Sequence, residues 1–234
     1  MMKYEEVTLK NKPEKYEIDY DTLNSKVREK ANYLIKANPT GYNPNTTSLI
    51  IQNSISSSYS IPEYESTMEL IKHIKDEDNV LILASWLSLM RLEIFNAVDK
   101  IKKIVLLDHD KSVILLGHTI STLYPNMNIQ YVRKNVVFND ISEYFNKKQI
   151  VIIPSINMLL PFNELLPNLP KGTLVSVHGT SNMKMRYGNP IYNPDDLNSQ
   201  IPCQEVFLAK QYDSKWSTNQ GTYKFRTSVV VAKI

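Results

Sequence analysis

Residues 79–117, NVLILASWLSLMRLEIFNAVDKIKKIVLLDHDKSVILLG, constrain the fold of this chain most strongly. Two short apolar runs, residues 80–83 and 104–107, lack the polar alternation of a half-exposed strand, which is typical of strands buried on both faces of a parallel sheet. Between them, apolar residues recur at helical spacing, namely Leu87, Met90, Ile94 and Val98. We expect the charged residues of this stretch to face solvent, namely Arg91, Glu93, Asp99 and Lys100. The pattern predicts a strand, a right-handed crossover helix and a parallel strand, the opening unit of a doubly wound nucleotide-binding sheet.

The carboxyl ends of these two strands predict a ligand site, because open α/β sheets bind their ligands there. Ala84, Ser85 and Trp86 follow the first strand, and Asp108 follows the second. A carboxylate at that second position usually accepts hydrogen bonds from ribose hydroxyls. Asp108 could instead cap the next helix, a role that Asp110 could also serve, and we favour ligand binding for Asp108 and capping for Asp110. Trp86 either forms a wall beside the ligand or packs under the first helix.

Composition restricts the class of protein. A chain of 234 residues, 42% hydrophobic and 22% charged, can bury one substantial core with an accessory segment. Its net charge of +3 is too small to indicate a nucleic-acid partner by itself. A single cysteine, Cys203, excludes an intramolecular disulfide and suits a reducing compartment. No apolar run approaches the roughly 20 residues that span a bilayer, and the charged start is unlike a secretory signal, so we expect a cytoplasmic protein without a membrane partner.

The segment before the first strand predicts a mostly helical extension, residues 1–61, followed by the main domain, residues 62–234. A helix is expected from residue 21 or 22 to about residue 36, then a loop, whereas residues 47–60 fit neither helix nor strand. Pro62 is expected to start the helix that precedes the first strand. The extension is either a packing layer for the sheet or a lid over the crevice.

Strands and helices continue to alternate along the rest of the chain. The pattern predicts a helix at 111–123, further strands at 128–133, 149–154 and 172–177, a polar loop region beyond His178 and a possible helix at 204–210. Residues 212–216 and 225–233 are expected to form an antiparallel pair joined by a turn at 219–221. No zinc-ligand spacing, phosphate-binding P-loop or G-x-S-x-G elbow occurs, and no metal site is predicted.

This order of strands and helices resembles the class I S-adenosylmethionine-dependent methyltransferases over residues 62–234. It is most similar to a branch of small methyltransferase-like proteins, many encoded by phages, whose first loop reads G-S-W-x-G. The corresponding pieces here are ASWLS at 84–88, LDHD at 107–110, NDI at 139–141, LPKGTLVSVHGTSN around the fifth strand and the closing YKFRTSVVVAKI with Arg226. The resemblance implies a Rossmann-like methyltransferase fold: a mostly parallel seven-stranded α/β sheet with a C-terminal antiparallel hairpin, here preceded by the N-terminal helical extension.

The resemblance also implies how S-adenosylmethionine would bind. Residues 84–88 would face its methionine end, Asp108 would hold the ribose hydroxyls, and Asp140 with Ile141 would contact the adenine. Ala84 and Ser88 stand where the branch has glycines, so either the loop is shaped differently or binding is weaker. The branch also tends to have a histidine after the fourth strand, where this chain has SINM at 155–158.

Two residues are candidates for the acceptor side. Asn157 follows the fourth strand, where methyltransferases acting on nitrogen or oxygen often present polar groups, although it could simply be a turn residue. His178, expected after the fifth strand, could accept a proton from the acceptor, although a lone histidine is often structural. Asp140 could likewise be a helix cap rather than a ligand contact. Aromatic residues interleaved with cations late in the chain leave a nucleic-acid acceptor open.

Three functions are therefore compatible with the sequence. The first is methyl transfer from S-adenosylmethionine to an unidentified acceptor. The second is a protein that keeps the fold without catalysis, as a binding or assembly component such as a virus would use, which the missing loop glycines suggest. The third is an enzyme that uses S-adenosylmethionine for another reaction, such as aminopropyl transfer or cleavage.

Overall fold

The computed structural model describes residues 18–41, 44–75, 78–98, 100–135, 142–144, 149–154, 165–181, 191–218 and 221–234. Within them, the helices of eight or more residues are α1 (Tyr20–Ala37), α2 (Pro44–Ser54), α3 (Ser57–Ile71), α4 (Leu89–Val98) and α5 (Lys111–Thr122). The strands are β1 (Asp78–Leu83), β2 (Ile101–Asp108), β3 (Ile129–Arg133), β4 (Gln149–Ile153), β5 (Leu174–Thr180), β6 (Glu205–Thr218) and β7 (Gly221–Lys233). Shorter helical segments are Ser142–Tyr144, Leu166–Asn168 and Pro194–Asn198.

The seven strands form one sheet in the order β3-β2-β1-β4-β5-β7-β6. Strands β1 to β5 are parallel to one another, whereas β7 runs antiparallel to both β5 and β6. The chain moves outward from β1 in one direction to β3 and then in the other direction from β4. This reversal opens a crevice at the carboxyl ends of β1 and β4, the usual ligand position in such sheets. The mostly parallel sheet and its C-terminal hairpin, both predicted from the sequence, are confirmed.

The sheet is buried on both faces, as its uninterrupted apolar strands predict. On one face, residues of β1, β2 and β4 pack with apolar side chains of all five long helices. On the opposite face, the alternate residues of the same strands pack against apolar side chains from the segments that follow β4 and β5, namely Leu165, Leu166, Leu169, Ile191, Leu197 and Ile201. Among the described residues, none of the helices combines the length and apolar character needed to cross a bilayer.

The N-terminal helices belong to this core. Four buried residues of α1 (Leu23, Val27, Ala31 and Leu34) pack in the same cluster as the sheet, which supports the packing-layer interpretation. Helix α1 begins earlier than predicted because Asp19, not Asp21 or Thr22, is its N-cap, with Asp19 Oδ2 accepting the Thr22 N–H at 2.8 Å.

The segment that the sequence left undecided, residues 47–60, is mostly helical: residues 47–54 belong to α2 and residues 57–60 to α3. Helix α3 therefore begins at Ser57, and the predicted start at Pro62 is wrong because this proline lies inside the helix. Since proline lacks an N–H, its presence removes one backbone hydrogen bond. The division of the chain between residues 61 and 62 stays a prediction, and it falls within α3.

Two residues of helix α4 that were expected to face solvent do not. Arg91 and Glu93 are both buried, so the prediction that they face solvent is wrong. The reason is that α1 and α3 both lie against α4, and α3 also packs on β5, β6 and β7 of the sheet. The helical spacing of apolar residues identified the helix correctly but could not reveal the neighbouring helices that cover it.

The last two strands are longer than the sequence predicted. Residues 204–210 do not form a helix, because β6 is one strand that pairs with β7 from Glu205↔Lys233 to Thr218↔Gly221. A register shift between Val206 and Leu208 interrupts the two-residue alternation that would have marked this strand. The predicted hairpin joining the two strands at 219–221 is confirmed in its pairing.

Candidate functional site

The carboxyl ends of β1 and β2 lie side by side. Their register pairs Leu83 with Leu107, so residues 84–88 and Asp108 leave neighbouring strands at the same level. The Ser85 N–H donates to the Leu107 carbonyl at 3.0 Å, and the Trp86 N–H donates to Asp108 Oδ2 at 3.0 Å. The structure thus brings together the four predicted cofactor-binding residues that it describes: Ala84, Ser85, Trp86 and Asp108.

The loop after β1 has an unusual backbone. Ala84, Trp86 and Ser88 all have positive φ, at 49°, 48° and 49°. For residues other than glycine the left-handed region costs about 1–2 kcal/mol each. Ala84 and Ser88 therefore hold a backbone conformation that glycine adopts at little cost. Strain of this kind persists only where the surroundings enforce it, and it concentrates at functional sites.

Several hydrogen bonds enforce this conformation. Ser88 Oγ donates to the Ser85 carbonyl at 2.7 Å, and the Leu92 N–H donates to the Ser88 carbonyl at 3.0 Å. From β3, the Tyr131 hydroxyl donates to the Leu87 carbonyl at 2.9 Å. The loop is therefore held by one hydrogen bond within itself, one from α4 and one from β3, which lies two strands from β1 in the sheet.

Gly117 of α5 makes room for the tyrosine that holds the loop. A Cβ at Gly117 would lie 2.2 Å from Tyr131 Cγ, so only glycine allows the ring to pass under the helix toward Leu87. Sequence reasoning missed both residues. The available signal was an isolated glycine within an apolar helical pattern, which usually has a packing reason.

Asp108 ties the two strand ends together. Its side chain is largely buried, with 5% of the residue exposed. Besides the bond from Trp86, Asp108 Oδ1 accepts the Asp110 N–H at 3.0 Å. Burial raises the pKa of Asp108, and the two backbone hydrogen bonds oppose that shift. Because a carboxylate offers about four acceptor positions, two remain for a ligand. Asp110 caps α5 by accepting the Ser112 N–H at 2.7 Å, which confirms its predicted role.

Trp86 differs from its neighbours in exposure. Ser85, Leu87 and Ser88 are buried, whereas 37% of Trp86 is exposed. This exposure leaves part of the indole available to contact a ligand. The choice between a wall beside the ligand and packing under the first helix stays a prediction.

His178 lies within β5 and not beyond it, because the strand continues to Thr180; the predicted position after the strand is wrong. The side chain is buried, with 4% of the residue exposed. Its Nε2 is 3.0 Å from Ser66 Oγ of α3 and 3.4 Å from Arg91 Nη2 of α4. Burial, assisted by the Arg91 charge, lowers the pKa of His178 well below its usual value. The catalytic role of His178 stays a prediction.

Arg91 also pairs with Glu63 of α3, with Nη1 and Oε1 separated by 2.5 Å in a buried environment. Burial raises the pKa of Glu63, and the nearby guanidinium opposes the shift. Glu63 Oε2 and Arg91 Nε have no hydrogen-bond partner among the described residues. Glu63, Arg91, Ser66 and His178 thus form a buried polar cluster that joins α3, α4 and β5. Sequence reasoning missed it because the contacts span 87 and 112 residues along the chain.

Three predicted site residues, Asp140, Ile141 and Asn157, lie outside the described residues, and their roles stay predictions. Within the described ranges, no group of three or more histidine, cysteine or acidic residues is arranged to hold a metal ion.

The fold is similar to that of solved methyltransferases. The CurJ carbon methyltransferase has a TM-score of 0.55 and 9% identity, with 92% of this chain and 68% of that chain covered. A precorrin-6y C5,15-methyltransferase from Geobacter metallireducens GS-15 has a TM-score of 0.50 and 9% identity, with 73% of this chain and 86% of that chain covered. No protein-family model and no curated protein matches the sequence. The chain therefore has a Rossmann-like methyltransferase fold, as its sequence predicted.

Proposed function

We propose that this protein binds S-adenosylmethionine at the carboxyl edge of the sheet, against residues 84–88 and Asp108, and transfers its methyl group to an acceptor. The observation that carries the proposal is the left-handed backbone at Ala84, Trp86 and Ser88, held against the Asp108 carboxylate. The methyltransferase fold of the whole sheet and the likeness of this loop to the G-S-W-x-G loop of the phage-type branch support it.

The residues of the crevice fit the chemistry of the cofactor. Asp108 keeps two acceptor positions after its bonds to Trp86 and Asp110, and a ribose has two adjacent hydroxyls to donate to them. The exposed indole of Trp86 can contact a sulfonium, because an aromatic face attracts a ligand cation. We assign adenine contacts to Asp140 and Ile141 on the resemblance alone.

When bound, the cofactor would supply a sulfonium methyl group. The lone pair of the acceptor would take this methyl as the carbon–sulfur bond breaks and leaves its electrons on sulfur, and the acceptor proton would pass to solvent. The protein needs no nucleophile of its own, since the reaction depends mainly on in-line positioning. Asn157 remains our candidate for orienting the acceptor. The bonds of His178 to α3 and α4 favour a positioning role over proton transfer.

Calorimetric titration with S-adenosylmethionine and S-adenosylhomocysteine tests the proposal. We expect saturable binding of both ligands, and about tenfold weaker binding or worse in Asp108→Asn, since hydrogen bonds to a charged group contribute about 1.5–3 kcal/mol. Asp110→Asn is the matched control, because asparagine caps a helix as well as aspartate does and affinity should not change. Folded wild-type protein that takes up neither ligand at millimolar concentration would refute the proposal.

A further inference from the structure

Arg91 lies in the first turn of α4, shortly after the loop of residues 84–88. Its side chain is fully buried and contacts two other elements of the fold. Nη1 donates to Glu63 Oε1 of α3 at 2.5 Å, and Nη2 is 3.4 Å from His178 Nε2 of β5. One side chain thus ties the start of α4 to a helix and to a strand that both lie far from it in the sequence.

The first turn of α4 is also bonded to the strained loop. The Leu92 N–H donates to the carbonyl of Ser88, one of the residues with positive φ, at 3.0 Å. Ser88 Oγ in turn donates to the Ser85 carbonyl at 2.7 Å. Because Arg91 and Leu92 are adjacent in the helix, a movement of Arg91 would displace the donor that holds Ser88.

The carboxylate of Glu63 lies near a second support of the loop, the Tyr131 hydroxyl. Burial raises the pKa of Tyr131, and the charges of Glu63 and Asp108 raise it further. Both carboxylates are therefore within electrostatic reach of the hydroxyl that donates to the Leu87 carbonyl. The ion pair of Glu63 with Arg91 thus lies beside the loop and not in a remote part of the core.

Stability alone gives little reason for a charged pair at this place. A buried ion pair is often no more stabilising than well-packed apolar residues of similar size, because both charges lose their hydration. Here Glu63 Oε2 and Arg91 Nε also have no hydrogen-bond partner within the described part of the chain, which adds to the cost. In some proteins such a pair serves to fix one arrangement of the chain.

We propose that Arg91, held by Glu63, is a positioning residue that keeps residues 84–88 in the conformation that binds the cofactor. The word cofactor rests on the proposed function, whereas the positioning of the loop does not. With the pair in place, the first turn of α4 stays against α3 and the Leu92 N–H stays on the Ser88 carbonyl. Without it, the left-handed residues of the loop relax, because such strain persists only where the surroundings enforce it.

Trp86 reports the shape of the loop without any ligand. In a Trp216→Phe background it is the only tryptophan, and acrylamide quenching measures how exposed its indole is. The test variant adds Glu63→Gln and Arg91→Met, and it should fold because removing both partners leaves no uncompensated charge. We expect its native-state emission to shift to longer wavelength and its quenching to increase, since a relaxed loop releases the indole into solvent.

The matched control is Glu93→Gln with Lys30→Met, which removes the ion pair between α4 and α1 by the same kind of substitutions. Glu93 lies on the second turn of α4, and this pair has no hydrogen bond to the loop among the residues that the structure describes. The Trp86 emission of the control should match that of the parent. Arg91→Lys is a milder second variant, because it keeps the charge without the guanidinium fork, and it should give a smaller shift in the same direction.

Calorimetry with S-adenosylhomocysteine measures the consequence for the cofactor. A loop that is in the binding conformation about a tenth of the time binds about tenfold more weakly, and we expect a loss of that size in the test variant and none in the control. Urea unfolding measures the stability of each protein.

Two results would overturn the proposal. The first is a test variant that loses stability while its Trp86 emission and its affinity stay unchanged, because the pair would then be purely structural. The second is an equal emission shift in the control. If the emission shift occurs but no protein binds S-adenosylhomocysteine, the proposed cofactor is refuted and the positioning of the loop by Arg91 is supported.

Discussion

Single residues in the loop after β1 store conformational strain that can be measured. Ala84 has a φ of 49°, and its replacement by glycine should relieve about 1–2 kcal/mol. Glycine also gains freedom in the unfolded chain, which subtracts about 0.4–1 kcal/mol. Ala84→Gly should therefore stabilise the protein by up to about 1.6 kcal/mol in urea unfolding. Ala97→Gly, at an exposed position of α4, is the control and should destabilise by about 1 kcal/mol. Equal losses from both substitutions would argue against strain at Ala84.

Gly117 offers a second test at this scale. Alanine is normally the better helix residue by about 1 kcal/mol, so Gly117→Ala would stabilise an unobstructed helix. Here the new Cβ would meet the Tyr131 ring at 2.2 Å, and overpacking of this kind costs about 1–3 kcal/mol. We expect thermal unfolding to show a net loss of stability, together with weaker binding of S-adenosylhomocysteine because Tyr131 holds the loop. A stabilised variant would contradict the close approach of Gly117 to the Tyr131 ring.

The hydroxyl of Tyr131 can be tested separately. Tyr131→Phe keeps the ring but removes the donor to the Leu87 carbonyl, and an unsatisfied buried acceptor costs about 1–3 kcal/mol. Tyr33→Phe on α1 is the control, because it makes the same atomic change at a site that is 52% exposed. Urea unfolding should separate the two variants. If they lose the same stability, the bond to Leu87 contributes nothing particular to the loop.

At the scale of elements, α4 is held to α1 by an ion pair whose carboxylate is buried. Lys30 of α1 forms an ion pair with Glu93, whose Oε1 also accepts the Tyr124 hydroxyl at 2.8 Å. Removing one partner leaves a buried charge uncompensated, at a cost of about 3–5 kcal/mol. Lys30→Met should therefore destabilise strongly, and adding Glu93→Gln should restore part of the loss. Chemical unfolding of the three proteins forms the test, and a double variant less stable than Lys30→Met would contradict it.

The contact of β5 with α3 and α4 should make stability depend on pH. Burial and Arg91 lower the pKa of His178 in the folded protein, whereas in the unfolded chain it is near 6.5. The unfolded state therefore binds more protons below that pH. The contribution of the neutral His178 is fully present above about pH 6.5 and is lost as pH falls toward the folded pKa.

We expect the free energy of unfolding to fall by up to about 1.4 kcal/mol per pH unit below pH 6.5 from this residue. His178→Gln should remove that component, and His118→Gln on the exposed side of α5 should keep it. Thermal scans of the three proteins between pH 5 and pH 8 measure the difference. Parallel pH profiles for wild type and His178→Gln would show that His178 is not held neutral.

At the scale of the whole molecule, the sheet could be predicted from the sequence because its central strands are continuous apolar runs. Such runs are typical of strands buried on both faces of a parallel sheet. The β1, β2 and β4 runs, and the hairpin turn, are local signals of this kind. The errors arose where distant packing decides the outcome. Arg91 and Glu93 look solvent-facing until α1 and α3 cover α4, and residues 204–210 look helical until β7 pairs with them.

The candidate site likewise has features that could be predicted from the sequence and features that could not. Asp108 could be predicted from one strand-end position, and its bond to Trp86 follows from the parallel pairing of β1 with β2. The hydrogen bond from the Tyr131 hydroxyl to the Leu87 carbonyl joins residues 44 positions apart in the chain, and no local pattern predicts it. The positive φ at Ala84 and Ser88 could not be predicted either, because neither residue favours it and only the surrounding bonds enforce it.

The central claim, that the crevice beside Trp86 binds S-adenosylmethionine, is tested most directly by the fluorescence of that residue. The chain has two tryptophans, so Trp216→Phe leaves Trp86 as the only indole reporter. We predict a saturable change in emission when S-adenosylhomocysteine is added to Trp216→Phe, with the midpoint at the calorimetric dissociation constant. An emission spectrum that stays unchanged in intensity and wavelength up to millimolar ligand would contradict the account.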